Sequence, residues 1–298
     1  TFNKSLISGL FGFWAFDEPG IIGTSPSTSN GPLVTTAPPG ISVAKVIGDN
    51  IHLKGMVASG YYDPSGGIDN KRGLNQYWDL DKYGLEILYE ATYRGGTYST
   101  KTGDNGKPWF ARIGGQLHTG YSLSNAHIKD GKTYFFPTID NPIGYSNDKR
   151  KKLWGNSQYY ATLERMIYRE PGSYNRGLTG FLKGKYSPWD NRGSTNRGIS
   201  GGLAYEGIGN RDNDIFYAGY AHVLVNKGVK ERSENQYLCK AVSGCKVSNY
   251  QGTFEIGYSA QLKPYLFVQP KLWYVVNPNV REDLGNILTT GVEFRLSY

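Results

Sequence analysis

The chain has 298 residues, 40 of them Gly and 24 Tyr but only two Cys and two Met, with a formal net charge of +8. Strand-compatible aromatics and turn-capable glycine dominate over the Ala/Leu/Glu/Lys mixture of long helices, and that favours a β architecture. A mean hydropathy of -0.49 and no apolar run of 18 residues exclude a membrane protein built on helices. They do not exclude a membrane barrel, in which only every second strand residue faces lipid.

Period-2 alternation marks a strand with one apolar and one polar face. It is faint at residues 5–16 and 41–47 and clearer at 51–62, where Lys54 takes the polar face. In 83–94, Tyr83, Leu85, Ile87, Tyr89, Ala91 and Tyr93 oppose Glu86, Glu90, Thr92 and Arg94. In 109–119, Trp109, Ala111, Ile113 and Leu117 oppose Arg112, Gln116 and His118. Residues 154–168 are ambiguous, because adjacent Glu164 and Arg165 must fall on opposite faces. In 177–187, Leu178, Leu182 and Tyr186 oppose Thr179, Lys183 and Lys185, and 197–207 and 213–225 follow more weakly. Residues 250–262, 265–276 and 287–298 give the cleanest pattern, with Glu255, Lys271, Trp273, Glu293 and Arg295 on the polar side. About twelve strands result. Runs near ten residues are long for a globular strand and right for one tilted across a bilayer.

Long connections (17–40, 63–82, 120–153, 226–249) alternate with tight turns such as Gly48-Asp49-Asn50 and Lys263-Pro264. That asymmetry predicts an antiparallel transmembrane β-barrel, one domain over 1–298, with both termini on the short-turn, periplasmic side. The segment 120–153, carrying Tyr134, Phe135, Phe136, Asp140 and Asn141, is read either as a constriction loop or as an extracellular cap. The run Asp148-Lys149-Arg150-Lys151-Lys152 reads as a solvated loop and not as a nucleic-acid site. Cys239 and Cys245, six apart in a polar stretch, read as a local disulfide, which implies an oxidising compartment. The four histidines lack metal-ligand spacing, and no cofactor is expected.

Three stretches resemble the carbohydrate-selective porins of Gram-negative outer membranes, the OprB type. The first is Met166-Ile167-Tyr168-Arg169-Glu170-Pro171-Gly172 with Arg176-Gly177-Leu178. The second is Gly201 to Gly207 with Gly209-Asn210-Arg211-Asp212-Asn213-Asp214. The third joins Tyr258 to Leu262, Val268-Gln269-Pro270 and Tyr274 to Pro278. The resemblance implies a sixteen-stranded barrel preceded by a signal peptide, of which this chain lacks roughly four N-terminal strands. It also implies an outer-membrane, lipid-embedded pore for glucose-like monosaccharides or polyols, with association into a homotrimer open. Lys271 stands where the resemblance leads one to expect an acidic or neutral residue, and Tyr298 replaces a terminal Phe.

A porin does no chemistry; pore radius, fixed charge and lining hydrogen-bond groups set selectivity. The facing assignment sends Lys54, Arg94, Arg112, Lys183, Lys185, Lys271 and Arg295 into the lumen, with Glu86, Glu90, Glu206, Glu255 and Glu293. Arg forks and carboxylates bond hydroxyls bidentately, and inward Phe110, Phe181 and Trp273 offer faces to a sugar ring. The alternatives are ions that only pair across the lumen, a porin without sugar selectivity, and a soluble sugar-binding β-domain. A lipid-facing hydrolase finds little support. Every histidine but His127, placed in a loop, reads as lumenal, and none has a convincing Ser partner.

Overall fold

The computed structural model describes residues 40–60, 80–96, 106–129, 132–134, 150–173, 175–189, 195–225, 230 and 244–296. The expected strand at 5–16, Cys239, Tyr298 and the loop residues Phe135, Phe136, Asp140 and Asn141 lie outside them.

The strands are β1 (Gly40–Ile47), β2 (Ile51–Ser59), β3 (Leu85–Gly95), β4 (Trp109–Lys129), β5 (Lys132–Tyr134), β6 (Arg150–Arg169), β7 (Gly177–Tyr186), β8 (Thr195–Ile208), β9 (Arg211–Val225), β10 (Tyr250–Lys263), β11 (Leu266–Val276) and β12 (Ile287–Leu296). They form one antiparallel up-and-down sheet in chain order, with β5 off the path as a partner of β4. Among the described residues β1 and β12 are its two edges.

Three boundaries differ from the sequence reading. Leu80–Tyr83 is a helical turn (α1) closed by Gly84 at φ 66°, so the third strand begins at Leu85. The fourth strand continues through the Ser- and Asn-rich stretch to Lys129, because its backbone goes on pairing with Lys152, Leu153 and Trp154 past an irregularity after His118. Much of the expected 120–153 loop is therefore sheet, and His127 is a strand residue. Arg150, Lys151 and Lys152, expected in a solvated loop, belong to β6 for the same reason.

Burial runs opposite to that of a soluble barrel. Ile113 is 64% exposed, Leu182 51%, Phe254 49% and Phe294 70%, while Glu86, Glu90, Arg112, Lys183 and Glu255 are 3% exposed or less. The apolar face looks outward and the polar face is covered, as membrane strands require and a water-soluble sheet forbids. The ambiguous pair resolves on this frame: Glu164 is interior at 1% exposure and Arg165 points out. One facing is corrected. His222 lies on the outward face of β9, where its ring stacks on Tyr250 at 4.7 Å and meets the Tyr220 hydroxyl at 3.1 Å. Tyr220 in turn packs on Phe254, which is half-exposed.

The stretches that carried the family resemblance hold the short-turn end together. The Arg176 guanidinium lies 2.9 Å from both Glu170 and Asp212 and donates to the carbonyls of Gly207 and Gly209. Tyr205 donates to Glu170 at 2.5 Å, tying β8 to the turn after β6. Asp214 accepts from Arg211 and Tyr258 and from the Gln261 amide, joining the start of β9 to the end of β10.

Candidate functional site

The register builds the interior surface row by row. Lys54 faces Glu90, Glu90 faces Gly114, Gly114 faces Tyr160 and Tyr160 faces Lys185, across β2, β3, β4, β6 and β7. One step along the strands, Thr92, Arg112, Thr162, Lys183 and Ser200 make the next row. A Cβ on Gly114 would come within 2.5 Å of the Tyr160 ring. The glycine therefore lets Tyr160 lie across β4 and donate to Glu90 Oε2 at 2.7 Å. Glu90 Oε1 stands 3.5 Å from Lys54 Nζ and 3.6 Å from Arg112 Nε. Arg112 also donates to Thr92 Oγ1 at 3.0 Å and sits 4.8 Å over the Phe110 ring. One buried carboxylate thus gathers two cations and a phenol, the satisfied arrangement a desolvated charge needs.

A second cluster spans β9 to β12. Tyr217, fully buried, accepts from Gln269 Nε2 at 2.5 Å and donates to Glu255 Oε1 at 3.4 Å. Gly257 makes room for it, since a Cβ there would meet the Tyr217 hydroxyl at 2.1 Å. Lys271 donates to Glu293 at 2.7 Å, and Trp273, 9% exposed, is Lys271's interior neighbour along β11.

The remaining expected residues are spread over the same face. Lys183 and Lys185 are buried beside the first cluster, and Glu86 lies opposite His118, whose Nε2 donates to the Gly60 carbonyl. Glu206 accepts from Asn175 near the short turns, Arg295 covers the Phe267 ring at 4.4 Å, and Arg94 is exposed. Lys54, Glu90 and Arg112 are therefore brought together, with Arg94 one row from Arg112, as are Lys271 and Glu293, while Glu206 stands apart from both clusters. Reading charge alone missed Tyr160, Tyr217 and Gln158, and gave Gln116 and Gln269 a polar face but no role. Their signal was the inward parity of uncharged polar residues. Among the described residues no group of three His, Cys, Asp or Glu could hold a metal ion.

At the long-connection end, Cys245 is disulfide-bonded. The segment after it is tied to the β11–β12 connection by the Lys246 amide donating to Asp283 and by Glu282 N donating to Lys246 O. The Arg281 guanidinium, bonded to Asp283, holds that carboxyl down to about 2.

The family model for the carbohydrate-selective porin, OprB family, matches residues 19–298. Among solved structures, OprB of Pseudomonas putida at high pH superposes with a TM-score of 0.64 at 18% identity, over 87% of this chain and 58% of the other. The low-pH structure of the same protein gives 0.47 at 13% identity, over 87% and 55%. The chain thus spans less than two thirds of the length of these neighbours. No curated protein matches. The first superposition identifies the sheet as the wall of a porin-type β-barrel.

Proposed function

The chain belongs to the carbohydrate-selective porin, OprB, family, whose members are channels and not enzymes, and from that premise we propose that it forms an outer-membrane pore through which glucose-like monosaccharides or polyols diffuse. The observation that carries the proposal is the inverted sheet: an apolar exterior around an interior set of paired cations and carboxylates. Paired charges leave a small net field, so a neutral solute is not excluded. Their spare lone pairs and N–H groups exchange for water as sugar hydroxyls pass. The Glu90–Lys54–Arg112–Tyr160 cluster and the Lys271–Glu293 pair beside Trp273 are the stations proposed for that exchange.

The test is single-channel conductance of detergent-extracted protein in a planar bilayer, titrated with glucose and then with an unrelated disaccharide. A current that falls saturably with glucose supports a sugar-selective pore. Steps indifferent to sugar leave a general porin. Protein that forms no steps and is soluble without detergent sinks the membrane reading.

A further inference from the structure

The outward face is not uniformly bulky. Across β3, β4, β6, β7 and β8 one row runs Ala91, Ile113, Ala161, Gly184, Ile199. The row on the long-connection side holds Tyr89, Tyr159 and Tyr186, and the row on the other side holds Tyr93, Leu163 and Leu182. Ala91, Ala161 and Gly184 set this row low between the flanking Tyr and Leu side chains, and hollows of about 760 and 640 Å³ meet along it around Ile113 and Ile199. A Cβ placed on Gly184 meets no atom within 4 Å. Four strand spacings of ~4.8 Å make the row about 19 Å long; because it crosses strands tilted ~35–45°, it climbs roughly 11–14 Å along the bilayer normal, close to the ~15 Å that one leaflet contributes to the hydrocarbon core.

One end of this hollow carries charge. Arg197, on the outward face of β8 two residues before Ile199, is exposed, and its guanidinium lies 5.6 Å over the Tyr186 ring. Tyr186 itself lines the hollow. An arginine on a lipid-facing wall is tolerated near the headgroup level, where an anion can meet it. Arg197 lies on the side of the long connections, the outer-leaflet side in the proposed orientation.

We propose that this hollow is a binding site for a phosphorylated, multiply acylated glycolipid of the outer leaflet, one acyl chain lying along the Ala91–Gly184 row and a phosphate bonded to Arg197. This rests on the outer-membrane reading above. The chemistry divides cleanly: the row supplies length and apolar contact, and Arg197 supplies a fork that matches a phosphate.

The test is native mass spectrometry of the detergent-solubilised full-length protein titrated with bisphosphorylated lipid A, with phosphatidylethanolamine as control. The parent protein is expected to retain one lipid A adduct and no phosphatidylethanolamine. Arg197→Gln is expected to weaken the adduct by roughly tenfold. Gly184→Phe, which fills open space, is expected to remove it. Equal lipid A binding by all three proteins overturns the proposal, as does phosphatidylethanolamine bound equally well. So does an oligomer without lipid that Gly184→Phe dissociates, since the hollow then seats a second copy. Bilayer conductance of both variants should match the parent. A protein with no channel fails the pore reading, whereas a channel former with no lipid A adduct fails this one.

Discussion

Glu90→Gln isolates the field of the first interior cluster. Lys54, Glu90 and Arg112 together carry one net positive charge, and the substitution makes it two while a glutamine oxygen still accepts from Tyr160. A unit charge about 5 Å from a passing ion is worth ~0.8 kcal/mol in water, reduced to about 0.5 kcal/mol at 0.1 M salt. The term has opposite signs for chloride and potassium, so their permeability ratio should rise roughly fivefold toward the anion. The assay is the reversal potential in a potassium chloride gradient across a planar bilayer. Arg112→Ala, Lys183→Ala and Lys271→Ala are the opposing arm, and each should shift selectivity toward cations. Glu90→Gln and these three variants all giving the parental reversal potential would show that these side chains do not face the conduction path. The reasoning from strand parity would then fail with them.

Two further outcomes follow from other parts of the molecule. Ile256, half-exposed at the middle of β10, should not tolerate arginine. Ile256→Arg should cost about 2–4 kcal/mol and Leu262→Arg, near the turn, ~0–1 kcal/mol; equal loss of the heat-resistant folded band on gels would contradict the lipid-facing assignment. Asp283, depressed to about 2, contributes stability that is present above the ordinary aspartate value of about 3.9 and is lost as pH falls through about 2. Exchange protection of the Lys246 amide, which donates to Asp283, should therefore survive at pH 4, decline toward pH 2, and lose this dependence in Asp283→Asn; protection flat across that window would remove the role given to the ion pair.

Most of the barrel wall was legible because a strand's period is two and a lipid-facing strand leaves no choice of face. Residues 250–262 and 265–276 read correctly since Phe254, Ile256 and Leu272 are exposed while Glu255 and Trp273 are buried. Alternation failed where composition spoke louder than pairing. Ser122 and His127 look like loop, yet β4 continues through them because β6 offers Leu153 and Arg150 as backbone partners on either side of an irregularity. It also failed at His222, polar by type but placed outward among Tyr220, Tyr250 and Phe254, where the ring stacks and hydrogen-bonds like another aromatic. Which charges meet was not legible at all. Contact across the wall depends on register, and register emerges only when neighbouring strands are paired.

The resemblance motifs and the interior charges divide the work of the chain between them. Arg176, Glu170, Asp212 and Asp214 are spent on the short-turn rim, each bonded to neighbouring strands or turns. Such turns fix register, and a one-residue slip would exchange the two faces of a strand. On β7, Lys183 would then point into hydrocarbon and Leu182 inward. The rim ties thus act on the interior without facing it, because the register they hold sets which side chains those strands turn inward. Cutting a rim tie, as in Arg176→Ala, should therefore alter conductance through the placement of Lys183 and Lys185, farther along β7 from the turn that Glu170 and Arg176 hold.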